Sequence, residues 1–100
     1  MKKALLLIGL AVLCTPIIKA DVTVASWGAA YTESQIKAYV DTYSDPGSIK
    51  FAKYYGVISQ VREQVESGKV EWDVVDVFPK HAITGCDEGL FEDISAEYKN

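Results

Sequence analysis

The sequence predicts an α/β fold: a mainly parallel sheet with flanking helices, of which these residues supply an incomplete lobe. From Asp21 onward, short β-branched runs alternate with amphipathic stretches of about ten residues, and parallel strands need helical crossovers of that kind. The stretch from Asp21 to Asn100 is of marginal size, since a domain this small buries only about 60% of its unfolded surface. It also stops in a polar segment, Ala96-Glu97-Tyr98-Lys99-Asn100, with no helix cap, so a truncated lobe is expected.

Each element has its own signal. Val22-Thr23-Val24-Ala25-Ser26 is alternating and β-branched, which predicts the first strand, and Gly28 breaks it. Thr32-Glu33-Ser34-Gln35 has capping-box spacing and Ile36, Val40 and Tyr43 follow at helical intervals, predicting a helix from Glu33 to Tyr43. Asp45-Pro46-Gly47-Ser48 is a turn. Ile49 to Tyr54 predicts the second strand, with Ile49, Phe51 and Lys53 on one face. Val57, Val61 and Val65, with Ile58 beside them, predict a second helix whose outer face is Arg62, Glu63, Gln64 and Glu66 and which ends at Gly68. Trp72-Asp73-Val74-Val75-Asp76-Val77 reads as a third, buried strand. Pro79 to Glu88 reads as a third helix on Ala82, Ile83 and Cys86, and Leu90 to Ile94 as extended chain. No repeat, low-complexity segment or linker interrupts this order, so residues 21–100 form one continuous portion of one lobe with right-handed crossovers.

Residues 1–20 are expected to be a cleaved signal peptide. Lys2 and Lys3 precede an apolar run from Ala4 to Leu13, and Ile18-Lys19-Ala20 ends on a small residue before Asp21. A membrane anchor needs roughly 20 consecutive apolar residues, and Pro16 and Lys19 interrupt this run. Lipid attachment at Cys14 is disfavoured by Leu13, where a small residue is wanted. Removing the leader takes away three basic residues and no acid, leaving seven basic against fourteen acidic residues, a net −7. That surface attracts cations and repels nucleic acid and anionic lipid. With Cys14 gone, Cys86 is the odd thiol in an oxidising compartment; it calls for a disulfide partner beyond residue 100, the alternative being a free buried thiol.

Ligands of open parallel sheets bind beyond the carboxyl ends of the strands. That rule selects Trp27-Gly28-Ala29-Ala30-Tyr31, Tyr54-Tyr55-Gly56 and Asp76-Val77-Phe78-Pro79-Lys80. Aromatic faces with an acid beside them suit a small organic cation, although Trp and Tyr also stack on sugars and planar groups. The candidate ligand-binding residues are therefore Trp27, Tyr31, Tyr54, Asp76 and Phe78, with Trp27 alternatively a core residue at the sheet edge. Tyr54 and Tyr55 point to opposite faces if extended, so one belongs to the core and one to the cleft. Trp72 opens a strand and is expected to pack rather than bind. Asp73 and Asp76 face opposite sides of a strand and make a poor acid–base pair.

Catalysis is not expected. His81 and Cys86 are separated by about 140° on a helix, and His81 reads as a solvated helix residue. No phosphate loop, serine elbow or metal-binding spacing occurs, so no cofactor or metal is expected.

Val22-Thr23-Val24-Ala25-Ser26-Trp27-Gly28 with Tyr31, Val65-Glu66-Ser67-Gly68 ahead of Trp72-Asp73-Val74-Val75-Asp76-Val77, and Gly85-Cys86-Asp87-Glu88-Gly89-Leu90-Phe91-Glu92 together resemble the extracellular solute-binding proteins of the spermidine/putrescine type in ABC importers. The resemblance covers nearly all of residues 21–100 and implies a type II periplasmic-binding-protein-like lobe, the N-terminal part of lobe 1 of a two-lobed protein that closes about a hinge. It implies an aromatic-box role for Trp27, a ligand role for Tyr31, a wall role for Tyr54, and a later cysteine for Cys86. Where polyamine binders carry a Ser and a Tyr after the third strand, this chain has Asp76-Val77-Phe78-Pro79-Lys80, and Lys80 at the cleft would repel a polyamine. The ligand is then a polyamine, another amine, an amino-acid derivative or an anion. The function expected is capture of a small solute, putrescine or spermidine first, in the periplasm for an ABC permease. An exported enzyme and a small interaction protein on a similar lobe are the alternatives.

Overall fold

The computed structural model describes residues 21–98; the expected leader, residues 1–20 with Cys14, lies outside the described residues. Strand β1 (Val22–Ser26) runs between β2 (Ile49–Lys53) and β3 (Val74–Val75), both parallel to it. Val22 to Ser26 pair in register with Ile49 to Lys53, while Val24 and Ala25 face Val74 and Val75. Because β1 is flanked on both sides, Ala25 and Ser26 are fully buried. The Tyr54 N–H prolongs the ladder to the Ser26 carbonyl at 2.8 Å.

The third strand is shorter than the expected 72–77. Only Val74 and Val75 are in the ladder proper, with Asp73 N–H to Thr23 O (2.9 Å) and Asp76 N–H to Ala25 O (3.1 Å) extending it by one bond at each end. Here β3 is an edge strand, and Val74 is 51% exposed rather than buried on both faces.

The first helix departs most from expectation. Helix α1 (Ala29–Gln35) starts four residues before Glu33 and passes directly into a π-helical turn, Ile36–Val40, closed by Asp41 N–H to Ile36 O at 2.9 Å. Its start is fixed by Gly28, whose φ of 83° and ψ of −177° lie in a region open essentially to glycine alone. The chain therefore turns as soon as the strand ends. Thr32 sits inside the helix rather than capping it, its hydroxyl accepting the Gly28 N–H at 2.9 Å.

Helix α2 (Ser59–Ser67) ends at Gly68 as expected, with Gly68 N–H bonded to Val65 O. Of its three expected inward valines only Val61 is buried; Val57 and Val65 are exposed. Helix α3 (Pro79–Asp87) begins with Pro79, whose missing N–H costs a first turn nothing. It closes in a Schellman pair, Leu90 N–H to Gly85 O (2.8 Å) and Gly89 N–H to Cys86 O (3.1 Å). Residues 90–94 form no strand. Instead Phe91 folds back against Gly85, where an added Cβ would lie 2.1 Å from the ring. Gly85→Ala is accordingly expected to expel the Phe91 ring and cost about 1–3 kcal/mol, read as a lowered urea midpoint of the full-length protein.

Arg62 ties α2 to the end of α3 by a two-pronged contact with Glu88, Nε to Oε2 at 2.7 Å and Nη2 to Oε1 at 2.9 Å. The hydrogen bonds from Arg62 hold the Glu88 carboxyl below its ordinary range. A depressed carboxyl adds stability above its unfolded pKa of about 4.3 and loses it as pH falls through the lower folded value. Glu88→Gln should thus lower the urea midpoint at pH 7 and leave it unchanged near pH 2, a small effect at this half-exposed pair. Among the described residues, no helix is long and apolar enough to cross a membrane.

Candidate functional site

The three carboxyl-end loops meet over the end of β1. Trp27, Tyr31, Asp76, Val77, Phe78 and Pro79 line one open pocket of about 470 Å³. A pocket of that size is within the range that small ligands occupy. Four of the five candidate ligand residues are in this lining: Trp27 from the β1–α1 turn, Tyr31 from the first turn of α1, and Asp76 and Phe78 from the β3–α3 connection. The fifth, Tyr54, is placed behind them. It is 1% exposed, and the Trp27 ring meets it edge-on at 5.1 Å between centroids. Burial raises the Tyr54 phenol above its usual pKa, and its hydroxyl lies 3.4 Å from His81 Nδ1.

The floor is a run of rings. Trp27 lies 4.7 Å from Phe78 at a tilt of 54°, and Trp72 meets Tyr54 at 6.2 Å, edge-on. Such offset and edge contacts hold aromatic faces in fixed orientation. His81 is half-buried with its ring 5.9 Å from Phe78, so it packs behind the floor rather than standing in solvent as expected. Gly56 makes room for this arrangement: its φ is 79°, and a Cβ there would approach Trp27 Cζ3 at 2.8 Å. Gly56→Ala should cost about 1–2 kcal/mol from the backbone alone and tilt the indole, seen as a shift of the Trp27 ring resonances.

A polar chain supports the carboxylate at the pocket's rim. Thr32 Oγ1 donates to Ser26 Oγ (3.0 Å), Ser26 Oγ to Gln35 Oε1 (2.5 Å), and Gln35 Nε2 to Asp76 Oδ2 (2.5 Å). These bonds also satisfy Ser26, which is wholly buried. The nearby Asp76 charge is the main cause that raises the Tyr31 phenol above its ordinary pKa, and the Tyr31 hydroxyl also hydrogen-bonds to that carboxylate.

Other expected residues lie elsewhere. Tyr55 is exposed beneath the Lys53 ammonium, 5.3 Å from its ring centroid, and is not part of the pocket lining. Lys80 follows Pro79 into α3, exposed and outside that lining. Asp73 serves the sheet, its Oδ2 accepting the Thr23 N–H at 2.8 Å. Cys86 is free and exposed, not the buried thiol that was the alternative to a disulfide. Among the described residues, no cluster of three or more His, Cys, Asp or Glu side chains has the geometry for a metal ion. Gln35, Ser26 and Thr32 were not legible as site residues: the Thr-x-x-Gln spacing reads as a cap, although the same spacing also puts both side chains on one helix face.

The fold and pocket define a segment of an α/β protein with an open, aromatic and acidic recess at the carboxyl ends of parallel strands. In sequence the chain is similar to the gamma-aminobutyric acid-binding protein of Pseudomonas aeruginosa, 40% identical over 74 residues that make up 72% of this chain and 21% of that protein. The chain thus spans about a fifth of the length of this curated relative. No protein-family model matches the chain, and no solved structure matches it.

Proposed function

We propose that this chain is the N-terminal part of a solute-binding protein whose pocket takes the ammonium end of a small linear amine. The observation that carries the proposal is the convergence of Asp76 with the Trp27 and Phe78 rings on one open recess. A carboxylate and two ring faces attract an ammonium by charge-assisted hydrogen bonding and by cation–π contact of about 0.5–2 kcal/mol per ring. The described pocket residues include no positive side chain to repel it.

γ-Aminobutyrate is the ligand favoured, on the strength of the relative's specificity and of 40% identity. Putrescine, the second candidate, presents the same CH2–NH3+ end to this recess, and the two differ only at the far end, which residues outside this chain would read. The protein is proposed to act in the periplasm after export, to close a second lobe over the solute, and to deliver it to an ABC permease, binding without catalysis.

Calorimetric titration of the full-length protein with γ-aminobutyrate, putrescine and butyrate tests this. Heat with at least one amine and none with butyrate is expected. Equal binding of butyrate, or silence with both amines, would sink the proposal.

A further inference from the structure

The proposed site rests on the position of one carboxylate, and the structure holds that carboxylate by an unusual route. Asp76 leaves an edge strand only two residues long, with Val77 and Phe78 continuing into loop. Nothing in so short a ladder fixes its side chain. Two side chains of α1 reach it: the Tyr31 hydroxyl, and Gln35, which bonds Oδ2 at 2.5 Å from 41 positions away in sequence.

The direction of the bonds follows from chemistry. A carboxylate only accepts, so the Gln35 amide must turn Nε2 toward Asp76 and Oε1 toward Ser26. Ser26 must then donate to Oε1, which leaves its lone pairs for the Thr32 hydroxyl, which in turn accepts from the Gly28 amide. Every donor in the series points the same way, from the sharp turn at Gly28 to Asp76. Bonds aligned in this manner polarise one another, and the first link starts at the rigid backbone of the turn that also carries Trp27. The ring and the charge that meet the ligand are therefore registered to the same turn.

We propose that Gln35 is the positioning residue of the site, holding the Asp76 carboxylate over the Trp27–Phe78 floor through a one-way hydrogen-bond chain anchored at Gly28. This builds on the ammonium site above, and its test separates the two. Gln35→Met keeps the side chain's length and removes both amide functions. In the full-length protein it should weaken binding of γ-aminobutyrate or putrescine about tenfold by calorimetry, yet by less than about twofold in an Asp76→Ala background, since a residue acting through Asp76 has nothing left to position. In the ligand-free protein, the Hα–Hβ three-bond couplings of Asp76 should report a single rotamer in the parent and an average of rotamers in Gln35→Met. Gln35→Asn, which keeps the amide on a shorter stem, should recover part of the affinity.

Equal losses in both backgrounds, with the single Asp76 rotamer of the parent retained in Gln35→Met, would make Gln35 a merely structural residue and overturn the proposal while leaving the ammonium site intact. If Asp76→Ala leaves amine binding untouched, the ammonium site itself is wrong, and the couplings alone then decide: averaging in Gln35→Met supports the positioning role, and an unchanged single rotamer rejects it.

Discussion

Asp76→Asn should lower affinity for the amine by about 10- to 150-fold, the equivalent of about 1.5–3 kcal/mol for a hydrogen bond to a charged partner. The substitution is nearly isosteric. An amide oxygen in place of Oδ2 can still accept the 2.5 Å bond from Gln35 Nε2, so the polar chain through Ser26 and Thr32 is preserved. What disappears is the negative charge facing the solute. The urea midpoint should therefore stay close to that of the parent while calorimetric affinity falls, and Tyr31 should titrate nearer its ordinary pKa because the carboxylate that raises it is gone. Unchanged affinity with the lowered Tyr31 pKa would locate the cation elsewhere.

Trp27→Ala should have the larger combined effect. The indole lines the pocket and packs against the Tyr54 and Phe78 rings, at 5.1 and 4.7 Å between centroids. Its loss removes a cation–π partner worth about 0.5–2 kcal/mol. It also opens a void over Tyr54, and truncating a packed aromatic costs about 3–5 kcal/mol when the surroundings do not collapse. Half-burial places Trp27 toward the lower end of that range. Both the urea midpoint and amine affinity should drop, whereas Trp27→Phe should restore most of the stability and only part of the binding, since benzene is the weaker cation–π face. Full recovery of binding by Phe would reduce Trp27 to a packing residue.

The sequence was most informative where local pattern and tertiary demand agree. The alternation of Val22 to Ser26, the glycine cap at Gly68 and the proline opening α3 placed three boundaries within a residue, because each depends on backbone chemistry at the position itself. It was least informative where a side chain chose between two partners. Thr32 has the spacing of a helix cap, but the nearby Ser26 is buried and must be satisfied, and the Thr32 hydroxyl serves that need from inside the helix. Periodicity likewise could not foresee which of Val57, Val61 and Val65 would be covered, since that depends on neighbours distant in sequence. Of the recess, the aromatic and acidic members were legible from the rule that loops at strand ends converge. Tyr54 follows a different logic: the strand's alternation turns it inward beneath Trp27, and Tyr55, turned outward, lies under Lys53 away from the pocket. The position of Lys80 also bears on specificity, because a helix start that carries it outside the lining relieves the repulsion its sequence position implied.

The most direct measurement is of intermolecular nuclear Overhauser effects in the full-length protein saturated with γ-aminobutyrate or putrescine. Cross-peaks from the methylene next to the ammonium to the ring protons of Trp27 and Phe78 are predicted, and they should weaken in Asp76→Asn at the same ligand concentration. A bound amine whose methylene contacts neither ring would contradict the assignment of this recess as its ammonium site.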